Sequence, residues 1–463
     1  MVQMEKRETI GIDLISILIN GQTATNNNYL EMQAYYEGIH SILDRKVTDT
    51  NQPNNKLVNN FPGYIVDVSL GYFMGKPVAY NSLNDALMEA LQDILDTNDE
   101  ADENIELAKK AGIKGTAYEL LYMDEDSNIR FGVSNPENII LVYDNSINPE
   151  PQFALRYYLV LDPLKPTAIE SATMYVELYT TEKIYYYERK GSTGALLFTK
   201  EEAHQFGGVP VVEFPNNDER CGDFEKVLSL IDAYDLNQSN SANTFEYNDD
   251  AILKIKNMSG TNSDDLAKMK KQKAVLVEAD GDVDWITKAM NDVAVENFKS
   301  RLQKDIHRFS NTPNLTDESF AGNLTGIALE FKLWGLEQNA SQKERKFKRA
   351  LQKRFELILN VLRVKSKEYD WRDINIIFTR NMPMNVPDLV EMVVKLKGII
   401  SDKTLFALLP FVEDPDEEIK LMAQDFDLDD DETDTKTDET EPEEEVVDPE
   451  AIEEEQIPND QEA

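Results

Sequence analysis

Apolar residues in the first fifty positions recur at intervals of three and four: Ile12, Ile15 and Ile19, then Met32, Tyr35, Tyr36 and Ile39. That period predicts helices. An Asn-rich break at 51–55 follows, and Leu57, Phe61, Ile65, Val68 and Tyr72 resume the spacing. Pro62-Gly63 is expected to kink or restart that helix, because proline removes a donor and crowds the preceding turn. A shorter helix is expected over 82–95, with Ala86, Leu87, Ala90, Leu91 and Ile94 on one face.

Between 115 and 215 the pattern changes to short β-branched and aromatic runs separated by turn residues, which predicts strands. A hairpin is expected at 118–123 and 129–131. Strands are expected at 139–143, 153–161, 174–179, 184–187, 196–198 and 210–214, forming a mostly antiparallel region.

Helical spacing returns at Gly222-Asp223, where Asp223 suits an N-cap and Phe224, Val227, Leu228 and Ile231 form the apolar stripe. Residues 237–248 of the same helix are small and polar. A compact insert spans 251–290: a strand at 252–255, a helix near 264–271, a strand at 274–277, then a turn before Trp285-Ile286. A second helix is expected at 293–309, with Phe298, Leu302 and Ile306 in register. The Pro- and Gly-containing stretch 312–326 leads into the longest helix, 327–365, whose 39 residues would reach about 58 Å at ~1.5 Å per residue. Leu329, Leu333, Leu336, Ala340, Phe347, Leu351, Phe355, Ile358 and Leu362 mark its apolar face, and Gly335 a bend. A strand at 374–379 and short helices near 388–397, 403–408 and 416–422 close the ordered pattern, with Ser401 and Pro415-Asp416 suited to helix starts.

Composition narrows the function. The 463 residues suggest about three units of roughly 150 residues each. Acids outnumber bases 87 to 47, for a formal charge of −40. Residues 425–463 alone hold 20 acids and one base, Lys436, and are nearly free of aromatics, so this tail is expected to be disordered. The rest is still acidic and would repel phosphates, so any nucleic-acid contact is local or weak. Cys221 stands alone, which excludes an intrachain disulfide and thiolate-rich zinc sites, and a reducing origin fits. The N-terminus reads as an amphipathic helix rather than a signal peptide. No apolar run of about 18 residues predicts a membrane span.

Enzyme motifs fail individually. Gly71 to Pro77 is one residue short of a phosphate loop and has proline where a Ser/Thr is needed, so a turn after a helix is expected. Asp124-Glu-Asp126-Ser-Asn128 lacks the glycine of a calcium loop, with Asn135 where a bidentate Glu belongs, and reads as a hairpin turn. Asp280-Gly-Asp282-Val-Asp284 could hold a cation weakly, with a solvated turn as the default reading. His40, His204 and His307 are too scattered for ligands and read as ordinary surface or helix histidines. No metal or cofactor is expected. The basic stretch 343–354, seven bases and one acid, reads as a solvated or subunit-pairing helix face, with a phosphate-facing stripe as the lesser alternative.

The order of a set of segments along the chain carries a resemblance. Asn55-Lys-Leu-Val-Asn-Asn60 with Ile65-Val-Asp67, Gly71-Tyr72 and Gly75-Lys-Pro77 comes first. Gly208-Val-Pro-Val-Val-Glu-Phe-Pro-Asn-Asn217 precedes Gly222-Asp-Phe-Glu225 and Leu230-Ile-Asp-Ala-Tyr234. Thr312-Pro-Asn-Leu-Thr-Asp-Glu-Ser-Phe320 precedes Asn323-Leu-Thr-Gly-Ile-Ala-Leu329 and Lys332-Leu333. Met382-Pro-Met-Asn385, Gly398-Ile-Ile-Ser401 and Thr404 complete the set. Together they resemble the siphophage-type portal proteins, the head-to-tail connector subunits of tailed double-stranded DNA bacteriophages.

The resemblance implies an α+β, ring-forming subunit, usually one of twelve, with no catalysis of its own. It implies a wing at 1–222 (N-terminal helices, then a β-rich region), a first stem helix at 223–248, a small α/β clip at 249–290 and a second stem helix at 291–310. It further implies a tunnel loop at 311–326, a long spine helix at 327–366, a return strand at 367–382 and crown helices at 383–424, with the acidic tail behind. Thr316, Asp317, Glu318, Ser319, Phe320, Asn323, Leu324 and Thr325 would face the passing DNA. Asp264, Asp265, Lys268, Lys271, Asp282 and Trp285 would meet the terminase motor and later the head-completion adaptor. Other implied partners are capsid and scaffolding proteins, and the implied location is the virion's portal vertex, with the host cytoplasm during assembly. An acidic hydrolase using a carboxylate pair, and a capsid scaffold that forms no ring, remain as alternatives.

Overall fold

The computed structural model describes residues 2–422 except 8, 48–52, 162–171, 192–193, 249–251, 257–263, 265–281, 287–291, 318–325, 365–368, 383–385, 410–411, 413–414 and 416–417. The expected disordered tail therefore lies outside the described residues, as do the expected strand 274–277 and most of the helix 264–271. Two compact units divide the chain at Met382/Pro383.

The first unit begins with a two-residue strand β1 (Val2–Gln3) and helices α1 (Ile12–Gly21) and α2 (Thr23–Tyr36). Helix α3 (Phe61–Met74) starts where the sequence suggested a kink. Asn60 caps it by accepting from the Gly63 N–H at 3.0 Å, and Pro62 sits in the first turn. A proline there gives up an N–H that has no intrahelical acceptor, so it begins the helix instead of breaking it. Strand β2 (Ala79–Asn81) and α4 (Asp85–Thr97) follow, α4 capped by Asn84 and buried through Leu87, Leu91 and Leu95.

Helix α5 (Glu100–Lys114) was not announced by the apolar pattern, because Glu100, Asn104 and Lys114 are among its buried residues. It ends at Gly115, whose φ of 83° lies in the left-handed region. A Cβ there would strike the Arg220 carbonyl, so glycine is required twice over.

Strands β3 (Thr116–Met123), β4 (Ile129–Ser134), β5 (Ile139–Tyr143), β6 (Pro151–Val160), β7 (Thr173–Tyr179), β8 (Lys183–Lys190), β9 (Leu197–Ala203) and β10 (Val211–Pro215) form the expected β region. One sheet has the order β1-β5-β6-β7-β8-β9, and a second the order β10-β3-β4. All their pairs are antiparallel except β1 with β5. Alternation gives the larger sheet two apolar faces. Ile140, Val142, Phe153, Leu155 and Val176 pack with Ile15 and Ile19 of α1, while Ile139, Leu141, Ala154 and Tyr179 pack with Tyr118, Val209 and Val211.

Helix α6 (Leu228–Asn248) is preceded by a 3-10 turn at Glu225–Val227. Asp223 is not its N-cap. Its carboxylate instead takes Lys343 Nζ at 2.5 Å and Asn216 Nδ2 at 2.8 Å, and its N–H donates to the Gly112 carbonyl at 2.7 Å. A hairpin of β11 (Ile252–Lys256) and β12 (Asp282–Ile286) separates α6 from α7 (Asp292–Ser310).

Helix α8 (Gly326–Val364) runs 39 residues, uninterrupted at Gly335. Its C-terminal half is the axis of the largest core: Phe347, Leu351, Phe355, Leu357, Ile358, Leu359 and Val361 are all buried. Burial on every side of that stretch exceeds the single stripe expected from the sequence. Strand β13 (Asn375–Ile377) returns to pair antiparallel with β2.

The second unit contains α9 (Val386–Leu396) and α10 (Asp402–Ala407). Ser401 caps α10 as expected, accepting from the Thr404 N–H at 3.4 Å.

Candidate functional site

Three connected pieces carry the residues singled out above: the helix pair α6 and α7, the hairpin between them, and the segment joining α7 to α8. The pair is rooted in the body. Phe224, Val227 and Ile231 bury with Ile306 of α7 against Met32, Tyr35, Ile65, Val66 and Ile113. Away from the root, apolar side chains lose their cover within the chain: Leu236 is 46 % exposed, Phe245 60 %, Val293 70 % and Phe298 49 %. On the first turns of α8, Phe331 is 76 % and Trp334 62 % exposed.

The segment after α7 has a pinned root. Asn311 adopts a positive φ of 55°, which ends the helix before Pro313. His307 Nδ1 donates to the Thr312 carbonyl at 3.0 Å, and burial holds the imidazole below its usual pKa, so it is a neutral anchor. Tyr64 of α3 bridges Pro313 and Leu315: its hydroxyl donates to the Pro313 carbonyl and accepts from the Leu315 N–H, both at 2.9 Å. The Asn314 carboxamide oxygen accepts from the Thr316 N–H at 3.2 Å and its hydroxyl at 2.7 Å, and the Asp317 N–H donates to the Asn314 carbonyl at 3.1 Å. On the other side Asn339 of α8 donates to the Ser310 carbonyl at 3.3 Å. A cavity of about 430 Å3 adjoins this root, with Lys304, Arg308, Asp317 and Lys332 among its lining residues. Of the DNA-facing candidates, Thr316 and Asp317 stand on this exposed turn, while Glu318, Ser319, Phe320, Asn323, Leu324 and Thr325 lie outside the described residues.

The hairpin is defined by register. Leu253 pairs with Trp285, Lys254 with Asp284 and Lys256 with Asp282. Asp282 and Asp284 therefore belong to a strand registered opposite Lys256 and Lys254, not to the turn expected from sequence. Asp264 is exposed, while Asp265, Lys268 and Lys271 lie outside the described residues.

Five of the seven bases in the stretch 343–354 of α8 are partnered within the chain, while Arg345 and Arg349 are exposed, Arg349 donating to Asn148 Oδ1 at 3.1 Å. Lys343 pairs with Asp223, Lys346 with Asp218 and Lys353 with Glu356, and Lys348 donates to the Ile376 carbonyl at 3.0 Å. Arg354 is wholly buried against Glu119 and Glu100, with its guanidinium over the Phe131 and Phe214 rings. These bases are consumed by acids and carbonyls of the same chain. Sequence could not assign the partners, which lie 28 to 254 residues away for Lys348 and Arg354.

His40 also departs from expectation. It is buried, with Nδ1 2.5 Å from Asp235 Oδ2 and Nε2 3.1 Å from the Tyr35 carbonyl. The Asp124 segment is the hairpin turn it resembled. Asp124 Oδ1 accepts from the N–H groups of Asp126 and Asn128, and the Asn128 N–H helps hold its carboxyl below the usual value. Gly71 lies inside α3 and Gly75 at its C-terminal cap, so the two glycines frame a helix end and not a phosphate cradle.

Comparison with known proteins agrees with the resemblance. A family model described as "Phage portal protein, SPP1 Gp6-like" matches residues 15–429. The portal protein of Clostridium phage phiCD119 is 28 % identical over 438 residues, covering 89 % of this chain and 96 % of that one. The portal protein of Bacillus phage SPP1 is 26 % identical over 412 residues, covering 85 % and 80 % respectively.

Proposed function

Because this chain belongs to the SPP1 Gp6-like family of phage portal proteins, we propose that its copies form a ring at one capsid vertex through which double-stranded DNA enters and leaves the head. Portal proteins are structural virion components and not enzymes. Among the described residues no helix is long and apolar enough to cross a membrane. The finer reading assigns residues 1–222 to the wing, α6 and α7 to the stem and the hairpin region to the clip. It assigns 311–326 to the tunnel loop, α8 to the spine, 367–382 to the return strand, and 383–424 to the crown. The clip would dock the terminase motor during packaging and a head-completion adaptor afterwards. Twelve copies is the family's usual number.

The observation that carries the ring is the uncovered apolar surface of α6, α7 and α8: Phe245, Phe298, Phe331 and Trp334 are each about half exposed or more. A two-helix projection with a small hairpin buries little unless neighbouring copies cover it. The acidic chain suits a channel, since each phosphate held by Lys or Arg adds to binding and would slow sliding DNA. Residues 311–326 contain Asp317 and Glu318 and no base. Asn323→Lys or Thr325→Arg should therefore leave assembly intact and reduce packaged DNA, more at low salt. Normal packaging by both variants in low and high salt would remove the tunnel-loop assignment.

A further inference from the structure

Helix α6 changes the chemistry of its buried face partway along. Val227, just before it, and Ile231, Asp235 and Ser239 within it are spaced by four, and all are buried. The first two join the apolar core, whereas Asp235 and Ser239 are polar and fully buried. Their partners come from the irregular segment 53–60, just before α3. The Asn59 N–H and side-chain amide donate to Asp235 Oδ1 at 2.8 and 2.9 Å. The Leu57 N–H donates to Ser239 Oγ at 2.9 Å. The Asn55 N–H and amide donate to Asn243 Oδ1 at 2.7 and 3.0 Å, and the amide also reaches Glu246 at 2.7 Å.

Every fourth helix residue thus meets every second segment residue. Four helical residues rise about 6 Å, and two residues of near-extended chain cover about 6.6 Å, so the two repeats stay in step over three contacts. One end is locked by His40, stacked on Tyr35 with ring centroids 4.7 Å apart. The Tyr35 carbonyl can only accept, so Nε2 carries a hydrogen. Nδ1 lies 2.5 Å from Asp235 Oδ2, so the ring ties Asp235 to the Tyr35 carbonyl. The neighbouring acid, Asp232, accepts from the hydroxyls of Tyr35 at 2.8 Å and Ser41 at 2.9 Å.

We infer that segment 53–60 is a clasp holding the C-terminal half of α6, and that 53–60 and 236–248 release as one unit about a hinge at Asp235 while 228–234 stays in the core. The first half of the helix is fixed by apolar burial. The second half is fixed by side-chain hydrogen bonds that water can replace, and residues 292–301 of α7 include no buried residue to hold it independently. On the stem reading given above, the clasp lets the hairpin end of the helix move without opening the core.

Hydrogen exchange on the intact chain, read by mass spectrometry, tests this independently of that reading. Ser239→Ala with Asn243→Ala removes two acceptors of backbone N–H groups and leaves Asp235 in place. Exchange in 53–60 and 236–248 should rise together by roughly tenfold or more, as expected for two lost hydrogen bonds, while 228–234 keeps its wild-type protection. Asn243→Ala alone, at a half-buried site, should move both segments in the same direction by less. Unchanged protection of 236–248 in both variants, or opening of 228–234 along with it, would overturn the clasp. Neither result would alter whether the chain forms rings.

Discussion

Arg354 of α8 and Glu119 of β3, 235 residues apart in sequence, meet in a two-point ion pair with neither side chain exposed: Nη2–Oε1 2.6 Å and Nε–Oε2 2.8 Å. Asn104 and Glu100 of α5 take two of the three remaining guanidinium hydrogens, at 2.9 and 3.2 Å. The pair fastens the long helix to α5 and the smaller sheet. Burial alone would lower the Arg354 pKa, but the two carboxylates outweigh it and keep the guanidinium protonated.

Arg354→Met should cost about 3–5 kcal/mol, because it strands a buried carboxylate. Combining it with Glu119→Leu should cost less than the sum of the two single changes. Thermal unfolding of the four proteins checks this, and strict additivity would mean the two groups are not coupled.

Glu213 and Arg220 make a second such fork, at 2.6 and 2.8 Å. Desolvation pushes the Glu213 carboxyl up, but Arg220, with Tyr143 and Thr116, outweighs it and holds the group below 4.5. The unfolded chain then binds more protons than the folded one through this group. Its stabilisation is present above the ordinary carboxylate value and lost as pH falls through the lower folded value. Arg220→Gln should lower Tm near neutral pH, and its gap from wild type should narrow as pH drops below about 4. A gap constant with pH would contradict the assignment.

Tyr64 is the bridge to the loop root. Tyr64→Phe should leave the fold intact, cost about 1 kcal/mol and increase proteolysis or hydrogen exchange at residues 312–317. Unchanged protection there would show that His307 and Asn339 hold the root without it.

How much was legible follows from these contacts. The strands between 116 and 215 and the helices α7 and α8 were readable because their apolar residues keep one period over many residues. Helix α5 was not, since its buried face includes Glu100 and Asn104, which make sense only beside Arg354. The second half of α6 read only as small and polar, with no sign of a buried face, for a similar reason. Asp235 and Ser239 are buried against a segment 176 to 182 residues earlier. Spacing reveals an apolar face, but a buried polar face shows only once its partner is known. For the candidate DNA-facing and docking residues, sequence order and family resemblance were the main signals, joined at 311–326 by the lack of any base.

Deleting residues 425–463 should leave assembly intact. With 20 acids and one base, neighbouring copies of this segment repel one another around any ring. Loss of assembly on truncation would give the segment a structural role.

Negative-stain electron microscopy of the purified full-length chain tests the central claim most directly. Rings with a central hole are expected, assembled without other phage proteins. Particles that remain compact monomers of 52.8 kDa at micromolar concentration would contradict it.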